Sequence, residues 1–82
     1  MRILVVEDER SFADLLRTWL QSEHFAVDVV ADPAEAKRRA SDEAYAVVLL
    51  DLKLPRGEEG LAVLQHIRDR KPDLPVLIIA GD

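Results

Sequence analysis

The chain is predicted to fold as a parallel α/β sheet with helices on both faces, and three observations predict it. Short apolar runs alternate along the chain with segments of helical period. The runs lack polar alternation, which is the pattern of strands buried on both faces. Two of them end in acid, one in Glu7-Asp8 and one in Asp51, at the strand ends where open parallel sheets place their ligands.

Taken in order, Ile3-Leu4-Val5-Val6 is the first strand, and it runs straight into Glu7, Asp8 and Glu9. From residue 10 to 22 the period changes. Phe12, Leu15, Leu16, Trp19 and Leu20 fall at i, i+3, i+4, i+7 and i+8, the core stripe of an amphipathic helix, with Trp19 packing in it. Ala26 to Ala31 reads as a strand whose one charge, Asp28, suits a sheet edge. Asp32-Pro33-Ala34-Glu35 opens a second helix with an N-cap acid, proline at the first position and glutamate three residues after the cap. That helix is expected to reach about Glu43 and to turn Ala36, Ala40 and Ala44 inward, which allows a close approach to the sheet.

The run Ala46-Val47-Val48-Leu49-Leu50, closed by Asp51, is too short for an ordinary helix and belongs in the middle of the sheet. Pro55 and Gly57 turn the chain, a loop continues through Gly60, and Leu61, Leu64 and Ile67 mark a third helix. This helix stops before Pro72, because the residue preceding a proline is steered away from helical backbone. Asp69-Arg70-Lys71 leaves cations at its end, where the helix dipole favours them. Pro75 to Ala80 is a fourth strand of buried type. Short connections and right-handed crossovers then give the parallel α/β sheet.

With 82 residues the chain makes one small domain, of a size that buries somewhat more than about 60% of its unfolded surface. Hydrophobic residues are 49% and charged residues 33% of the total, as in soluble globular proteins, and aromatic residues are few. A net charge of -5 without a basic stripe argues against direct nucleic-acid binding. The absence of cysteine excludes disulfide and thiol chemistry. No signal peptide and no membrane-spanning run is read from the sequence. A cytoplasmic location without a membrane partner is the expectation.

Two neighbouring parallel strands ending in Glu7-Asp8 and Asp51 bring three carboxylates to one sheet edge. Like charges at that range repel and raise one another's pKa. A divalent cation removes the conflict, and oxygen ligands completed by water suit Mg2+ or Mn2+. With such an ion present a carboxylate can attack a phosphoryl group, since the ion screens two approaching anions. A plainer role for Glu7 and Asp8 is to cap the first helix. Three acids on two strands, each directly behind a buried run, weigh toward a site.

The segment Ile3-Leu4-Val5-Val6-Glu7-Asp8-Glu9 ahead of a helix, and Val48-Leu49-Leu50-Asp51-Leu52-Lys53-Leu54-Pro55 with Gly60-Leu61 beyond, resemble receiver domains of two-component response regulators. Pro75-Val76-Leu77-Ile78-Ile79 is similar to the fourth strand of that family, so the resemblance covers the whole chain. It implies a flavodoxin-like fold with strand order 2-1-3-4-5. It also implies a phosphorelay role, with Asp51 accepting a phosphoryl group from a sensor histidine kinase or phosphotransfer protein. Glu7 and Asp8 would hold Mg2+, directly or through water, together with Asp51 and the backbone carbonyl of Lys53. Such a domain is not an enzyme beyond, at most, catalysing its own phosphorylation and dephosphorylation.

Three departures from the family pattern stand out. The loop from Asp51 to Gly60 is one residue longer, and Ala80 stands where the family has Thr or Ser. The family also continues through a further helix, strand and helix, which carry a phosphate-contacting lysine and an aromatic switch residue. Residues 1–82 are thus expected to be a receiver domain lacking that part, with the acceptor half of the site and not the readout half. Val76 to Ile79 becomes an open edge, and a homodimer or higher oligomer paired through the fourth strand is expected.

Competing readings are weaker. A dinucleotide-binding domain needs glycines after the first strand, where this chain has Glu7-Asp8-Glu9. A phosphatase with an aspartate nucleophile lacks a second acid two residues after Asp51, where Lys53 stands. His24 and His66 have no metal-type spacing and read as surface residues, and Lys37-Arg38-Arg39 as a solvated helix face. The alternative from another class is a receiver fragment that no longer signals and serves as a folding or oligomerisation unit.

Overall fold

The computed structural model describes residues 1–53 and 57–79, with Gly57 and Glu58 described by their backbone alone. Strands β1 (Arg2–Val6), β2 (Ala26–Val30), β3 (Val47–Leu50) and β4 (Val76–Ile78) alternate with helices α1 (Arg10–Ser22), α2 (Pro33–Asp42) and α3 (Gly57–Arg70). The strands form one parallel sheet in the order β2-β1-β3-β4, the first four places of the flavodoxin-like order. The apolar runs of β1 and β3 are indeed the central strands, whereas β4, read as a strand of buried type, is an edge strand with Leu77 and Ile78 exposed. Leu4, Val5, Val6, Val48 and Leu50 are wholly buried, and each full burial is worth about 1.5–3 kcal/mol.

Successive strand residues face opposite sides of the sheet, and each side has its own core. Leu4, Val6, Val48 and Leu50 pack with Ala36 and Ala40 of α2 and with Val63 and Ile67 of α3. Ile3, Val5 and Leu49 turn the other way, toward Leu16 and Leu20 of α1. The α2 start is as read: Asp32 is the N-cap, its carboxylate accepts from the Glu35 N–H at 2.9 Å, and Pro33 follows. The reciprocal half of the capping box does not form, because the Glu35 carboxylate turns instead to Arg38 and Arg39.

Several side chains sit elsewhere than their spacing suggests. Trp19 and Leu15 are 63% and 64% exposed, so Trp19 is not a core residue of this chain. The face of α1 turned to the sheet carries Ala13, Leu16 and Leu20, and the Leu15/Trp19 flank of the stripe overhangs it. Ala44 lies beyond the α2 C-cap, Glu43, and is exposed; Tyr45 is the residue that turns inward there. Helix α3 begins at Gly57 rather than after Gly60. Its inner face is Gly60, Val63 and Ile67 with Leu64 alongside, while Leu61 is exposed. His66 is half-buried rather than on the surface, its Nε2 2.9 Å from Ser41 Oγ across the α2–α3 contact. Leu54, Pro55 and Ala80 lie outside the described residues.

The two sheet edges differ. On β2, Asp28 accepts from both Arg2 (3.0 Å) and the Tyr45 hydroxyl (2.7 Å), with the Arg39 guanidinium 3.5 Å away. Burial opposes ionisation of Asp28, but the Tyr45 and Arg2 hydrogen bonds and the charges of Arg2 and Arg39 outweigh it and hold its pKa below the ordinary value. Burial, followed by the bond to Asp28, pushes Tyr45 up to about 12. A folded-state pKa that is depressed adds stability above the unfolded pKa, and that stability is lost as pH falls through the folded value. Tyr45→Phe is therefore expected to cost about 1–2 kcal/mol at neutral pH. In urea unfolding at matched concentration, the difference from the parent should fade below about pH 4. A penalty independent of pH would show that Tyr45 acts through packing alone. On β4 no comparable charge is present: Leu77 and Ile78 are 58% and 43% exposed.

Candidate functional site

The register of the sheet brings the acids together. Val6 pairs with Val30 on one side and with Leu50 on the other. The ladder then runs one residue further on each side, with the Glu7 N–H donating to Val30 O and the Asp51 N–H to Val6 O, both at 3.0 Å. Glu7 and Asp51 consequently leave adjacent central strands at the same level. One ligand oxygen from each of Glu7, Asp8 and Asp51 can be chosen so that all lie within 4.8 Å of one another. Two full negative charges at 4.8 Å repel by roughly 3–4 kcal/mol at an effective dielectric near 20.

Glu7 and Asp51 are buried, 3% and 5% exposed, whereas Asp8 faces solvent. Glu7 Oε2 accepts from the Glu9 N–H at 2.9 Å, and Asp51 Oδ1 accepts from the Lys53 N–H at 2.8 Å. Glu7 Oε1 has no partner and is the one such buried side-chain atom among the described residues. The Glu7 pKa is pushed up to about 7, first by burial and then by the Asp51 carboxyl and the charges of Asp51 and Asp8; the Glu9 N–H pulls the other way.

The capping role does not belong to Glu7 or Asp8. Glu9 is the N-cap of α1, its side chain accepting from the Ser11 N–H at 3.0 Å. Its own pKa is lowered by Ser11, hydroxyl first and backbone second. Glu9 supports the site twice, by starting α1 and by donating its N–H to Glu7. Glutamate is not among the favoured N-cap residues, so no capping signal marks this position in the sequence.

This arrangement fits a hard divalent cation. The donors are all oxygens, one buried oxygen lacks a partner, and the cluster carries more negative charge than its two backbone N–H donors answer. Glu7, Asp8 and Asp51 are thus brought together as the sequence suggests, and Lys53 lies in the turn beside them. Arg10 and Arg17 on α1 line a cleft that opens from Glu7 and Asp8 toward the end of β2.

A parallel sheet with helices on both faces and an acidic, cation-ready cluster at the carboxyl ends of its central strands defines the class: an α/β domain organised around a strand-end carboxylate site. The chain belongs to the response regulator receiver domain family, whose family model matches residues 3–82. It is a signalling domain of two-component response regulators. It is 42% identical over 81 residues to the transcriptional regulatory protein TctD of Salmonella typhimurium, covering 99% of this chain and 36% of TctD. The chain therefore spans about a third of the length of that curated relative. Among solved structures it resembles the response regulator TrrA of Thermotoga maritima in complex with Mg2+-BeF, at 33% identity and TM-score 0.90, over 99% of this chain and 70% of that one. It is also similar to a structure of the histidine kinase ThkA in complex with TrrA, at 34% identity and TM-score 0.87, over 98% of this chain and 68% of that one. Among the described residues no helix is long and apolar enough to cross a membrane.

Proposed function

We propose that residues 1–82 work as a cytoplasmic receiver unit in which Asp51 accepts a phosphoryl group from the phosphohistidine of a sensor histidine kinase or phosphotransfer protein. The Asp51 carboxylate attacks phosphorus, a P–O bond forms and the P–N bond breaks. The departing imidazole nitrogen keeps the electron pair and takes a proton from solvent. The product is an acyl phosphate on Asp51, so any catalysis is of the domain's own phosphorylation and dephosphorylation.

Glu7, Asp8, Asp51 and the Lys53 carbonyl would hold Mg2+, with Mn2+ as a substitute. When bound, the ion offsets the charge of the cluster and screens the approach of the anionic phosphoryl group. The rest falls to the chain itself. The Lys53 N–H orients the Asp51 carboxylate, and the Glu9 N–H holds one Glu7 oxygen so that the other stays turned into the cluster. The single observation that carries this reading is the buried, unpartnered Glu7 Oε1 within an acid cluster at the strand ends. The alternative of a unit for assembly alone leaves that cluster without a purpose.

The test is a Mg2+ titration read by amide shifts of Glu9 and Lys53, whose N–H groups touch the cluster. Trp19, 63% exposed on α1, is a poor reporter. Saturable binding in the millimolar range is expected from the reluctance of this ion to shed water, and it should be lost in Asp8→Ala and Asp51→Asn. An equal response in those variants, or none in the parent, rejects the site. The partner proposed for the 82-residue chain in isolation is a second copy, joined through β4.

A further inference from the structure

We propose that Gly60 is a positioning residue for this site: its lack of a side chain lets α3 close on the Leu52 backbone and so holds the turn from Asp51 to Lys53. The inference rests on the reading of Asp51 and the Lys53 carbonyl given above. Gly60 lies within α3, where glycine is less favourable than alanine. Among the described residues no glycine has a positive φ, so backbone conformation does not demand it. Space does. A Cβ at position 60 would stand 2.7 Å from Leu52 Cα, 2.8 Å from Leu52 O and 3.1 Å from Leu52 C. All three are backbone atoms, and no side-chain rotation relieves the contact.

The geometry also says which partner would yield. Helix α3 is tied into the core by Val63 and Ile67, 0% and 1% exposed, and stepping back would open a cavity beneath both. The strand end lies beyond β3 in an irregular turn, where the Lys53 N–H donates to Asp51 Oδ1 at 2.8 Å, and such a turn gives way more readily than a helix anchored in the core. Displacing Leu52 moves the residues on either side of it, one bearing the acceptor carboxylate and the other the carbonyl assigned to the metal. Gly60 acts through the Leu52 backbone between them, the part of the chain that a Cβ would meet first.

Gly60→Ala separates this from simple packing, with Ala62→Gly on the exposed side of the same helix as control. In metal-free buffer, Gly60→Ala is expected to shift the Lys53 amide resonance and speed its hydrogen exchange, while Ala62→Gly leaves both unchanged. The Mg2+ affinity of folded Gly60→Ala should fall by about tenfold or more, the usual cost of disturbing groups behind a metal ligand. A packing role alone would lower the unfolding midpoint and leave the Lys53 amide and the Mg2+ affinity of the folded chain as they are, which overturns the proposal. If the parent does not bind Mg2+, the metal reading fails while the Lys53 amide still decides the role of Gly60. Should Gly60→Ala not fold, native-state exchange on the parent decides instead. Lys53 must then open together with the α3 amides around Gly60, and independent opening refutes the coupling.

Discussion

Asp51→Asn is expected to abolish labelling of the chain by a small phosphodonor or a cognate kinase, while leaving the fold intact. In the parent, labelling should require Mg2+ and give a product stable in acid and labile in base, as an acyl phosphate is. It should add roughly 1.5–2 negative charges at pH 7, visible as a mass and mobility change. The neutral carboxamide has its nitrogen pair delocalised into the carbonyl and an oxygen without the carboxylate's negative charge, so neither atom is an effective nucleophile for phosphorus. Stability moves the other way. Asn removes one of three carboxylates gathered within 4.8 Å, so in metal-free buffer the variant should be at least as stable as the parent. Labelling that persists in Asp51→Asn rejects Asp51 as the acceptor. A variant that loses labelling because it has unfolded would show in its denaturation curve, and would count against the charge argument.

The second large effect concerns the chain on its own in solution, where it is expected to self-associate through β4. The β2 edge is guarded by Asp28, which Arg2 and Tyr45 hold in place, and a charge at an edge discourages further pairing. Leu77 and Ile78 leave the β4 edge apolar on both faces. Leu15 and Trp19 add exposed apolar surface on α1. At about 25 cal/mol per Å2, a few hundred Å2 of such surface removed from water amounts to several kcal/mol, on the scale of the whole stability of a small domain. Sedimentation across a concentration series should therefore show a dimer or larger species that dissociates on dilution to a loosened, dye-binding monomer. Leu77→Lys, which places a charge on the edge, should shift the equilibrium toward the monomer. A concentration-independent monomer with sharp unfolding and no dye binding would refute association through this strand.

Much of this was legible in sequence because the signals are local. Unbroken apolar runs such as Ile3–Val6 favour burial on both faces, and those of β1 and β3 are the buried central strands, while the same pattern in β4 lies at the sheet edge. Asp32-Pro33 announces a helix start through capping chemistry confined to neighbouring residues, and that cap formed. The acids at the ends of two such runs followed, since parallel pairing of central strands leaves their carboxyl ends side by side. The beginning of α3 was not legible, because Gly57 and Gly60 look like turn residues when judged alone.

The sequence by itself determined the alternation of elements, the identity of the central strands and the acids at their ends, because hydrophobic period and capping act within a few residues. Only the tertiary structure decided which flank of α1 is covered, since Leu15 and Leu16 are equally apolar and differ only in facing the sheet. It decided that Glu9 rather than Glu7 caps α1, because the ladder to Val30 carries Glu7 one residue further into the sheet. It decided, too, why a glycine stands inside α3: the reason is a backbone eight residues earlier in the chain, at a distance no local pattern records.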